Sequence, residues 1–204
     1  MQVLPINLFE AEPWILRKHY ARRMPSVSYA FGLYESGILV GVCTYGMPAS
    51  PFLCMGVCGK ENKDRVIELN RLCIETKTKN AASVLVGRSL ALLPGPMVVV
   101  SYADTAQDHV GYVYQATNFL FTGTTKERTD MAGQEGQHSR HNKGDRENRI
   151  NRSAKHRYVF FVGTKREKKS LANQLRYPVL PYPKGETKRY DASATVSIQP
   201  LLFT

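Results

Sequence analysis

The chain's 204 residues suffice for one domain with a substantial core and are too few for two domains of average size. A hydrophobic fraction of 43% and a charged fraction of 22% exclude wholesale disorder, and no apolar run reaches the roughly 18 residues that a membrane span needs. The formal net charge of +11 predicts a polyanionic partner such as nucleic acid or an anionic membrane surface. The opening stretch MQVLPINLFEAEPW lacks the pattern of a secretory signal, so we expect a cytoplasmic protein.

The hydrophobic pattern predicts a mixed α/β domain. Pro13 suits the first turn of a helix, the turn Glu35-Ser36-Gly37 joins two strands, and the run MVVVSY is typical of a strand buried on both faces. In chain order the predicted elements are a helix at 13–23, a hairpin of strands at 27–34 and 38–45, a strand at 65–74, a helix at 81–93, a strand at 97–102, a helix at 108–117, strands at 119–122 and 157–162, and a helix at 166–175.

The excess positive charge is concentrated in one part of the chain. From Lys126 to Arg176 there are 14 Lys and Arg against 6 Asp and Glu, a net charge of +8. Residues 124–155 contain one Met and one Ile as their only large apolar side chains, too few to pack a core. We therefore predict one domain over residues 1–204 with a mobile basic insertion at 124–155.

Cysteine spacing gives little support to a zinc site. Cys54 and Cys58 lie close together, but no second pair accompanies them. In a reducing compartment we expect four free thiols in small apolar spaces, at Cys43, Cys54, Cys58 and Cys73.

The order of the predicted elements is that of the GNAT-type acyltransferase fold. This fold is α/β, with a mixed, mostly antiparallel central sheet flanked by helices. The segment GYVYQATNFLFTG resembles the GNAT segment in which a tyrosine precedes a turn into the next strand. The sequence ETKTKN stands where GNAT enzymes have a glycine-rich turn that binds the CoA pyrophosphate, so standard acetyl-CoA binding is disfavoured.

Asp104 is the first candidate catalytic residue, because it follows the buried strand at the end where open α/β sheets bind ligands. A carboxylate there can act as a general base or bind a metal ion. The alternative is a cap for the next helix, but Asp108 is better placed for that, which frees Asp104. Tyr114 suits either proton donation or core packing, and Ser89 either a substrate contact or a bond to its own helix backbone.

His19, Tyr20 and Arg71 are further candidates. Adjacent helical residues point about 100° apart, so His19 and Tyr20 face one site together only if the helix ends there. A lone histidine is more often a surface or satisfied core residue than a ligand. Arg71 lies in a predicted strand, where it either clamps a carboxylate or phosphate or pairs with Glu68 or Glu75.

Together these residues resemble the Mom family of phage-encoded DNA modification proteins. The resemblance implies that the chain converts adenine in DNA to N6-carbamoylmethyl-adenine, which protects phage DNA from restriction nucleases. It implies Ser89, Asp104, Tyr114, His19 and Tyr20 as active-site residues, and Tyr20 and Asp104, with His19, as ligands of an iron ion. The segments that carry it are KHYARRMPSVSYAFGLYESG, ELNRLCI, NAASVLVGRSLALL, VVVSYADTAQDHVGYVYQATNFLFTG, KHRYVFFVG and YPVLPYPKG.

The donor of the transferred group stays open between acetyl-CoA, a glycyl carrier and another metabolite. Arg71 and Arg88 are the candidates for binding it. Double-stranded DNA is the expected macromolecular partner, and a dimer is among the assemblies that the sequence allows. The candidate DNA-binding residues are Arg17, Lys18, Arg22, Arg23, Arg140, Arg146, Arg149, Arg152, Lys155 and Arg157.

Two other functions remain open from the sequence. One is an ordinary GNAT N-acetyltransferase that acts on a protein or small-molecule amine, which the missing glycine-rich turn disfavours. The other is a non-catalytic DNA-binding protein whose function resides in the basic insertion. No zinc finger or helix-turn-helix pattern is present, so we expect contacts mainly with the DNA backbone.

Overall fold

The computed structural model describes residues 1–131 and 149–185. Seven strands form one sheet with helices on both faces, and two further strands pair separately. The strands are β1 Gln2–Pro5, β2 Tyr29–Glu35, β3 Ile38–Gly46, β4 Val66–Ile74, β5 Met97–Asp104, β6 Leu120–Thr124, β7 Arg128–Met131, β8 Arg149–Arg152 and β9 Lys155–Val162. The α-helices are α1 Leu8–Pro13, α2 Pro51–Cys58, α3 Ala81–Leu92, α4 Tyr112–Ala116 and α5 Lys165–Asn173.

The seven-stranded sheet divides at its one parallel pair. Its order is β1-β2-β3-β4-β5-β9-β6, and β4 runs parallel to β5 while the other neighbours are antiparallel. The parallel register ends at Leu69 and Ser101; beyond it β4 pairs only with β3 and β5 only with β9. The strands therefore diverge at their carboxyl ends. This topology confirms the GNAT-like α/β fold that the element order predicts.

Apolar side chains bury both faces of the sheet. Leu85 of α3 packs on one face with Tyr45 and Phe119. Val57 of α2 and Leu171 of α5 pack on the other. Burial of each such side chain contributes about 1.5–3 kcal/mol to folding. The packing on both faces therefore stabilises the sheet from which the strand ends diverge.

The hairpin, β4 and α3 confirm the predicted elements, but the first helix differs in its bounds. It begins at Leu8 because Asn7 and Glu10 form a capping box, in which each side chain accepts a hydrogen bond from the other's backbone N–H. The chain continues through a turn of π-helix, Trp14–Lys18, closed by the His19 N–H donating to the Trp14 carbonyl oxygen at 2.9 Å. The helix therefore ends at Lys18, not at residue 23.

The helix predicted at 108–117 is shorter, and its predicted cap is wrong. Asp108 and Gly111 have positive φ angles of 52° and 78°, so α4 starts only at Tyr112. A Cβ at Gly111 would lie 2.4 Å from the ring of Tyr158, which excludes larger residues. Asp104, which was expected to be free of a capping role, accepts a hydrogen bond from the Ala106 N–H at the start of a short 3₁₀ turn.

Other elements were not expected from the sequence. These are the edge strand β1, helix α2, and the pair β7–β8, which orders both ends of the predicted mobile insertion. The middle of that insertion, residues 132–148, lies outside the described residues. The four cysteines are free and buried, as predicted. Within residues 1–131 and 149–185, no helix has the length and apolar character to cross a membrane.

Candidate active site

A cavity of about 1150 Å³ lies where β4 and β5 diverge. Ligands bind at the carboxyl ends of strands in open α/β sheets for the same reason: diverging chains leave a crevice there. Five residues predicted as catalytic, metal-binding or donor-binding line this cavity together: His19, Tyr20, Arg71, Asp104 and Tyr114. The structure adds polar side chains that were not predicted as site residues, Glu68, Asn70, Tyr102 and His109.

His19 is buried and neutral. Its Nδ1 accepts a hydrogen bond from the Ala21 N–H at 3.0 Å, and its ring stacks on Tyr20 with 4.4 Å between centroids. Burial, followed by the charges of Arg71 and His109, lowers the pKa of His19 to about 3. With Nδ1 accepting, the neutral ring carries its proton on Nε2. The π-helical turn thus places His19 and Tyr20 side by side at the cavity, as the predicted helix end required.

His19→Asn should reduce the acid sensitivity of folding. In the unfolded chain His19 binds a proton below about pH 6.5, whereas in the folded chain it does so only near pH 3. The free energy of unfolding therefore decreases as the pH falls from 6.5 towards 3. Asn keeps an acceptor for the Ala21 N–H and does not titrate. Between neutral pH and pH 5, wild-type protein should lose about 1–2 kcal/mol more unfolding free energy than the variant in urea titrations. Equal losses would contradict a buried neutral His19.

Both carboxylate oxygens of Asp104 accept hydrogen bonds from protein groups. Its Oδ1 accepts from the Ala106 N–H and the Ser153 hydroxyl, and its Oδ2 accepts from the Lys155 ammonium. Burial alone would raise the pKa of Asp104, but the bonds from Lys155 and Ser153, the Lys155 charge and the Ala106 N–H together lower it. A carboxylate with a lowered pKa and three donors is a poor general base and a good anchor.

Glu68 has the opposite environment. It lines the cavity from the middle of β4, and none of the described residues donates a hydrogen bond to its carboxylate. Burial raises the pKa of Glu68 to about 7, although the charges of Arg71 and Lys155 act to lower it. In the sequence Glu68 stands out only as one alternative partner of Arg71. A carboxylate inside the apolar half of a strand, VIELNRLCI, is the signal that marks it.

Arg71 binds the backbone rather than a carboxylate. Its Nε and Nη2 donate to the Arg23 carbonyl oxygen at 3.2 and 2.6 Å, and its Nη1 donates to the Asn70 carbonyl oxygen. Glu75 pairs with Lys18 instead. Arg71 therefore fixes the segment after His19 against β4 and adds positive charge beside the cavity. It forms no ion pair with Glu68 or Glu75, the two partners predicted for it.

Tyr114 lines the cavity from α4. Burial raises its pKa, against a hydrogen bond with Ser101 that lowers it, so the phenol stays protonated at neutral pH and can donate. Its ring also packs against Phe119 and Tyr158, with centroids 5.4 and 5.3 Å away. Both alternatives predicted for this residue, packing and proton donation, are therefore compatible with its position.

Ser89 and Arg88 lie apart from these residues. Ser89 is fully buried in α3, where it donates to the Val86 carbonyl oxygen at 2.9 Å and pairs with the Tyr45 hydroxyl at 2.6 Å. The exposed Arg88 donates to the Met1 carbonyl oxygen at 2.9 Å. Neither lines the cavity. Of the two roles predicted for Ser89, the structure therefore shows the hydrogen bond to its own helix backbone. Arg88 binds the amino-terminal residue, Met1.

Ser89→Ala should cost stability rather than chemistry. The change deletes the partner of the buried Tyr45 hydroxyl, and an unsatisfied buried hydroxyl costs roughly 1–3 kcal/mol. Urea unfolding should show this loss, while any catalytic activity per folded molecule stays within about twofold of wild type. A variant that keeps wild-type stability and loses activity would contradict this structural role of Ser89.

The residues at the cavity do not fit the expected iron ion. His19 Nδ1 and both oxygens of Asp104 are already bonded to protein groups, and the remaining His19 nitrogen carries a proton. Over residues 1–131 and 149–185, no group of three or more His, Cys, Asp or Glu residues is arranged to hold a metal. Since His19 and Asp104 have these partners, no step of the chemistry is assigned to iron.

The predicted DNA-binding residues lie in different parts of the molecule. Arg23, Arg152 and Lys155 line the cavity, together with three cations that were not predicted, Lys79, Lys126 and Arg128. Arg17, Arg22 and Arg149 are exposed outside it. Arg140 and Arg146 lie outside the described residues.

Two predicted DNA-binding residues have structural partners instead. Lys18 pairs with Glu75 and lies 3.9 Å from the Trp14 ring centroid. Arg157 donates from Nε and Nη2 to Thr122 and stacks 3.5 Å above the Tyr177 ring. Lys155, at the cavity, is also engaged through its ion pair with Asp104. Because of these contacts, Lys18, Arg157 and Lys155 are less available to bind DNA phosphates.

Comparison with known proteins identifies the family. A profile of the Mom protein family matches residues 1–184. The chain belongs to the Mom family. The "Methylcarbamoylase mom" of Escherichia phage Mu is 31% identical to this Mom-family chain over 130 residues, which are 61% of this chain and 54% of that protein. The chain thus spans about half the length of this relative.

Solved structures of similar shape include two acetyltransferases. A GNAT-family acetyltransferase from Bacillus cereus is 13% identical, with 80% of this Mom-family chain and 98% of that chain covered and a TM-score of 0.46. The ribosomal-protein-S18-alanine N-acetyltransferase of Escherichia coli is 8% identical, with 80% and 94% covered and a TM-score of 0.47.

Proposed function

We propose that this Mom-family chain is a transferase that places a carbamoylmethyl group on adenine N6 in DNA. The observation that carries the proposal is the cavity at the divided sheet, which combines the half-buried carboxylate of Glu68, to which no described residue donates a hydrogen bond, with a protonated phenol, Tyr114. Family membership and the relative named as a methylcarbamoylase support it independently. Protection of phage DNA from restriction is the expected benefit.

The size and charge of the cavity suit a base taken out of the double helix. Adenine N6 is hidden in a stacked pair, so an enzyme that modifies it extrudes the nucleotide into a pocket. About 1150 Å³ exceeds the roughly 300–1,000 Å³ of a typical pocket for one small molecule, which leaves space for a base and a second reactant. The lining cations Lys126, Arg128 and Arg152 attract the phosphates that accompany the base.

The proposed roles follow from the protonation states. The adenine amine is a weak nucleophile because its lone pair is delocalised into the ring, so N6 must lose a proton as it reacts. A bond forms between N6 and the carbon of the incoming group, the bond from that carbon to the donor's leaving atom breaks, and N6 passes its proton to Glu68. The leaving atom keeps the electron pair and takes a proton from Tyr114, and solvent restores both residues.

Asp104 and Lys155 are positioning residues in this proposal. Their ion pair and the Ser153 hydroxyl tie the end of β5 to the segment that follows β8. The same Lys155 charge acts on Glu68 and keeps its pKa from rising further. The pair therefore sets both the shape of the cavity and the proton affinity of the base.

The donor binds at the other side of the cavity in this proposal. Residues 81–83, the first turn of α3, line it with Lys79. First-turn amides have no partners within a helix and carry a partial positive charge, so they suit an anionic part of the donor. This arrangement replaces the glycine-rich turn with a lysine and a helix terminus, and it suits a donor that carries the carbamoylmethyl group on an anionic leaving group.

Plasmid protection tests the proposal. Plasmid DNA is prepared from cells that express the wild-type chain, the Glu68→Gln variant or an empty vector, and it is digested with a restriction nuclease whose site contains adenine. We expect plasmid from wild-type cells to resist cleavage and the other two to be cut. Equal cleavage of all three would contradict a DNA-modifying function.

The two alternative functions give different results with the purified chain. An ordinary acetyltransferase consumes acetyl-CoA with a small amine in the absence of DNA. A non-catalytic binder shows salt-sensitive DNA affinity and leaves the nucleosides unchanged.

A further inference from the structure

An exposed apolar segment borders the cavity on the side of α2. Met47 and Phe52 are 70% and 81% exposed, which is unusual for large apolar side chains. Between and beside them, Ala49, Ser50 and Leu53 line the cavity. Residues 46–59, GMPASPFLCMGVCG, include no charged side chain in a protein with a net charge of +11.

The exposed phenyl ring of Phe52 stands on a fixed support. Pro51 and Phe52 begin α2, and the Ser50 hydroxyl caps the helix by accepting a hydrogen bond from the Leu53 N–H. Cys54, Val57 and Cys58, on the opposite side of the same helix, are buried against the sheet. The ring therefore projects from an anchored helix, and folding gains nothing from its exposure.

The charge of the cavity lining indicates which kind of molecule contacts the Phe52 ring. The described cations of the lining are Arg23, Arg71, Lys79, Lys126, Arg128, Arg152 and Lys155, which favour a polyanion at the cavity. An uncharged aromatic side chain at the border of such a site contributes nothing to phosphate binding. It matches the apolar interior of the same polyanion, the stack of base pairs.

We propose that Phe52 inserts into the DNA base stack at the position that the target adenine leaves when it enters the cavity. The inference rests on the proposed function. An extruded base leaves a gap whose neighbours lose their stacking, and an aromatic ring restores part of that contact. Tyr112, 62% exposed, lies in the cavity lining itself and so meets the extruded base, whereas Phe52 lies just outside the lining, where the remaining duplex passes.

Phe52→Ala tests the inference, with Phe9→Ala as the matched control. Phe9 is 84% exposed on α1 and does not line the cavity, so the two changes remove equal exposed rings. The substrates are a fully paired duplex and a single strand of the same sequence. Modification is measured by mass spectrometry of nucleosides after incubation with the purified protein and a bacterial cell extract that supplies the donor.

Phe52→Ala should slow modification of the duplex about 10- to 100-fold and leave the single strand at the wild-type rate, because the single strand has no paired stack to open. Phe9→Ala should match wild type on both. A second readout needs no donor: 2-aminopurine in place of the target adenine should gain fluorescence as it leaves the stack with wild type and Phe9→Ala, and much less with Phe52→Ala.

Two results would overturn the role of Phe52: an unchanged duplex rate in Phe52→Ala, or an equal loss on duplex and single strand. Wild-type protein that modifies neither substrate would instead overturn the proposed function, and the inference with it. Because Phe52 is exposed, the variant should unfold at the wild-type temperature, which separates loss of insertion from loss of fold.

Discussion

Glu68→Gln should reduce DNA modification by roughly 10²- to 10⁴-fold, the usual contribution of a general base. Gln keeps the size of the side chain and removes the group that accepts the N6 proton. With the pKa of Glu68 at about 7, the wild-type rate should rise with pH through neutrality, since the carboxylate must be ionised to act. The pH dependence is measured from initial rates in buffered bacterial extract below and above pH 7. The low rate of the Glu68→Gln variant should not increase with pH in this range.

The same variant should be more stable than wild type at alkaline pH. The pKa of Glu68 is 4.5 in its ordinary state and about 7 in the folded chain, so ionisation favours the unfolded state, and stability falls as the pH rises from about 4.5 through 7. Glu68→Gln abolishes this cost. We expect it to gain roughly 2–3 kcal/mol in unfolding free energy at a pH above 7 and almost nothing near pH 4.5.

Glu75→Gln is the matched control for both measurements. Glu75 directly follows β4, pairs with Lys18 and does not line the cavity. It should keep the wild-type rate, pH profile and stability trend, since removal of an exposed ion pair changes stability by at most about 1 kcal/mol. A Glu68→Gln variant that modifies DNA at the wild-type rate would contradict the assignment of the base.

Asp104→Ala should abolish modification and leave DNA affinity nearly intact. The change removes the acceptor for Ser153, Lys155 and the Ala106 N–H. Lys155 then has Glu68 as its nearest described carboxylate in the cavity, which lowers the pKa of that residue and weakens it as a base. We also expect a loss of roughly 1–3 kcal/mol in stability, less than for a fully buried pair because Lys155 is about a third exposed.

Asp104→Asn separates anchoring from charge. It keeps an acceptor for the Ala106 N–H and removes the charge that faces Lys155. Any activity that Asp104→Asn retains should have its pH profile shifted to lower pH, because the Lys155 charge then acts on Glu68 alone. DNA affinity is measured by salt-titrated binding and stability by urea unfolding. Full activity of Asp104→Ala would refute the positioning role.

Local sequence signals predicted most of the strands of the sheet. They gave wrong helix bounds where contacts between distant residues or weak local signals determine them. The hairpin, β4 and α3 have strong periodicity and clear turn residues, and the structure has them near their predicted bounds. The first helix was misplaced because Pro13 fits the first turn of a helix, while the capping box of Asn7 and Glu10 actually begins it. The helix at Tyr112 was extended too far because the left-handed residues before it have no strong signal except Gly111.

The position of the candidate site was predictable, but the roles proposed for its residues were not. Asp104, Tyr114, His19 and Tyr20 do meet at one cavity, as the family resemblance implies. Asp104 nevertheless has partners 49 and 51 residues away in Ser153 and Lys155, and no local pattern reveals them. Ionisation of a carboxylate depends on burial and on charges from other strands, which is why the sequence pointed to Asp104 and passed over Glu68.

Mass spectrometry of nucleosides tests whether this chain modifies adenine in DNA with Glu68 as the base. Plasmid DNA from cells that express the wild-type chain, Glu68→Gln or Glu75→Gln is digested to nucleosides, and the adenine nucleosides are compared. We expect a new adenine nucleoside with the added mass of a carbamoylmethyl group on N6 in the wild-type and Glu75→Gln samples, and its loss in the Glu68→Gln sample. Unmodified adenine in all three samples, from cells that contain soluble folded protein, would contradict this expectation.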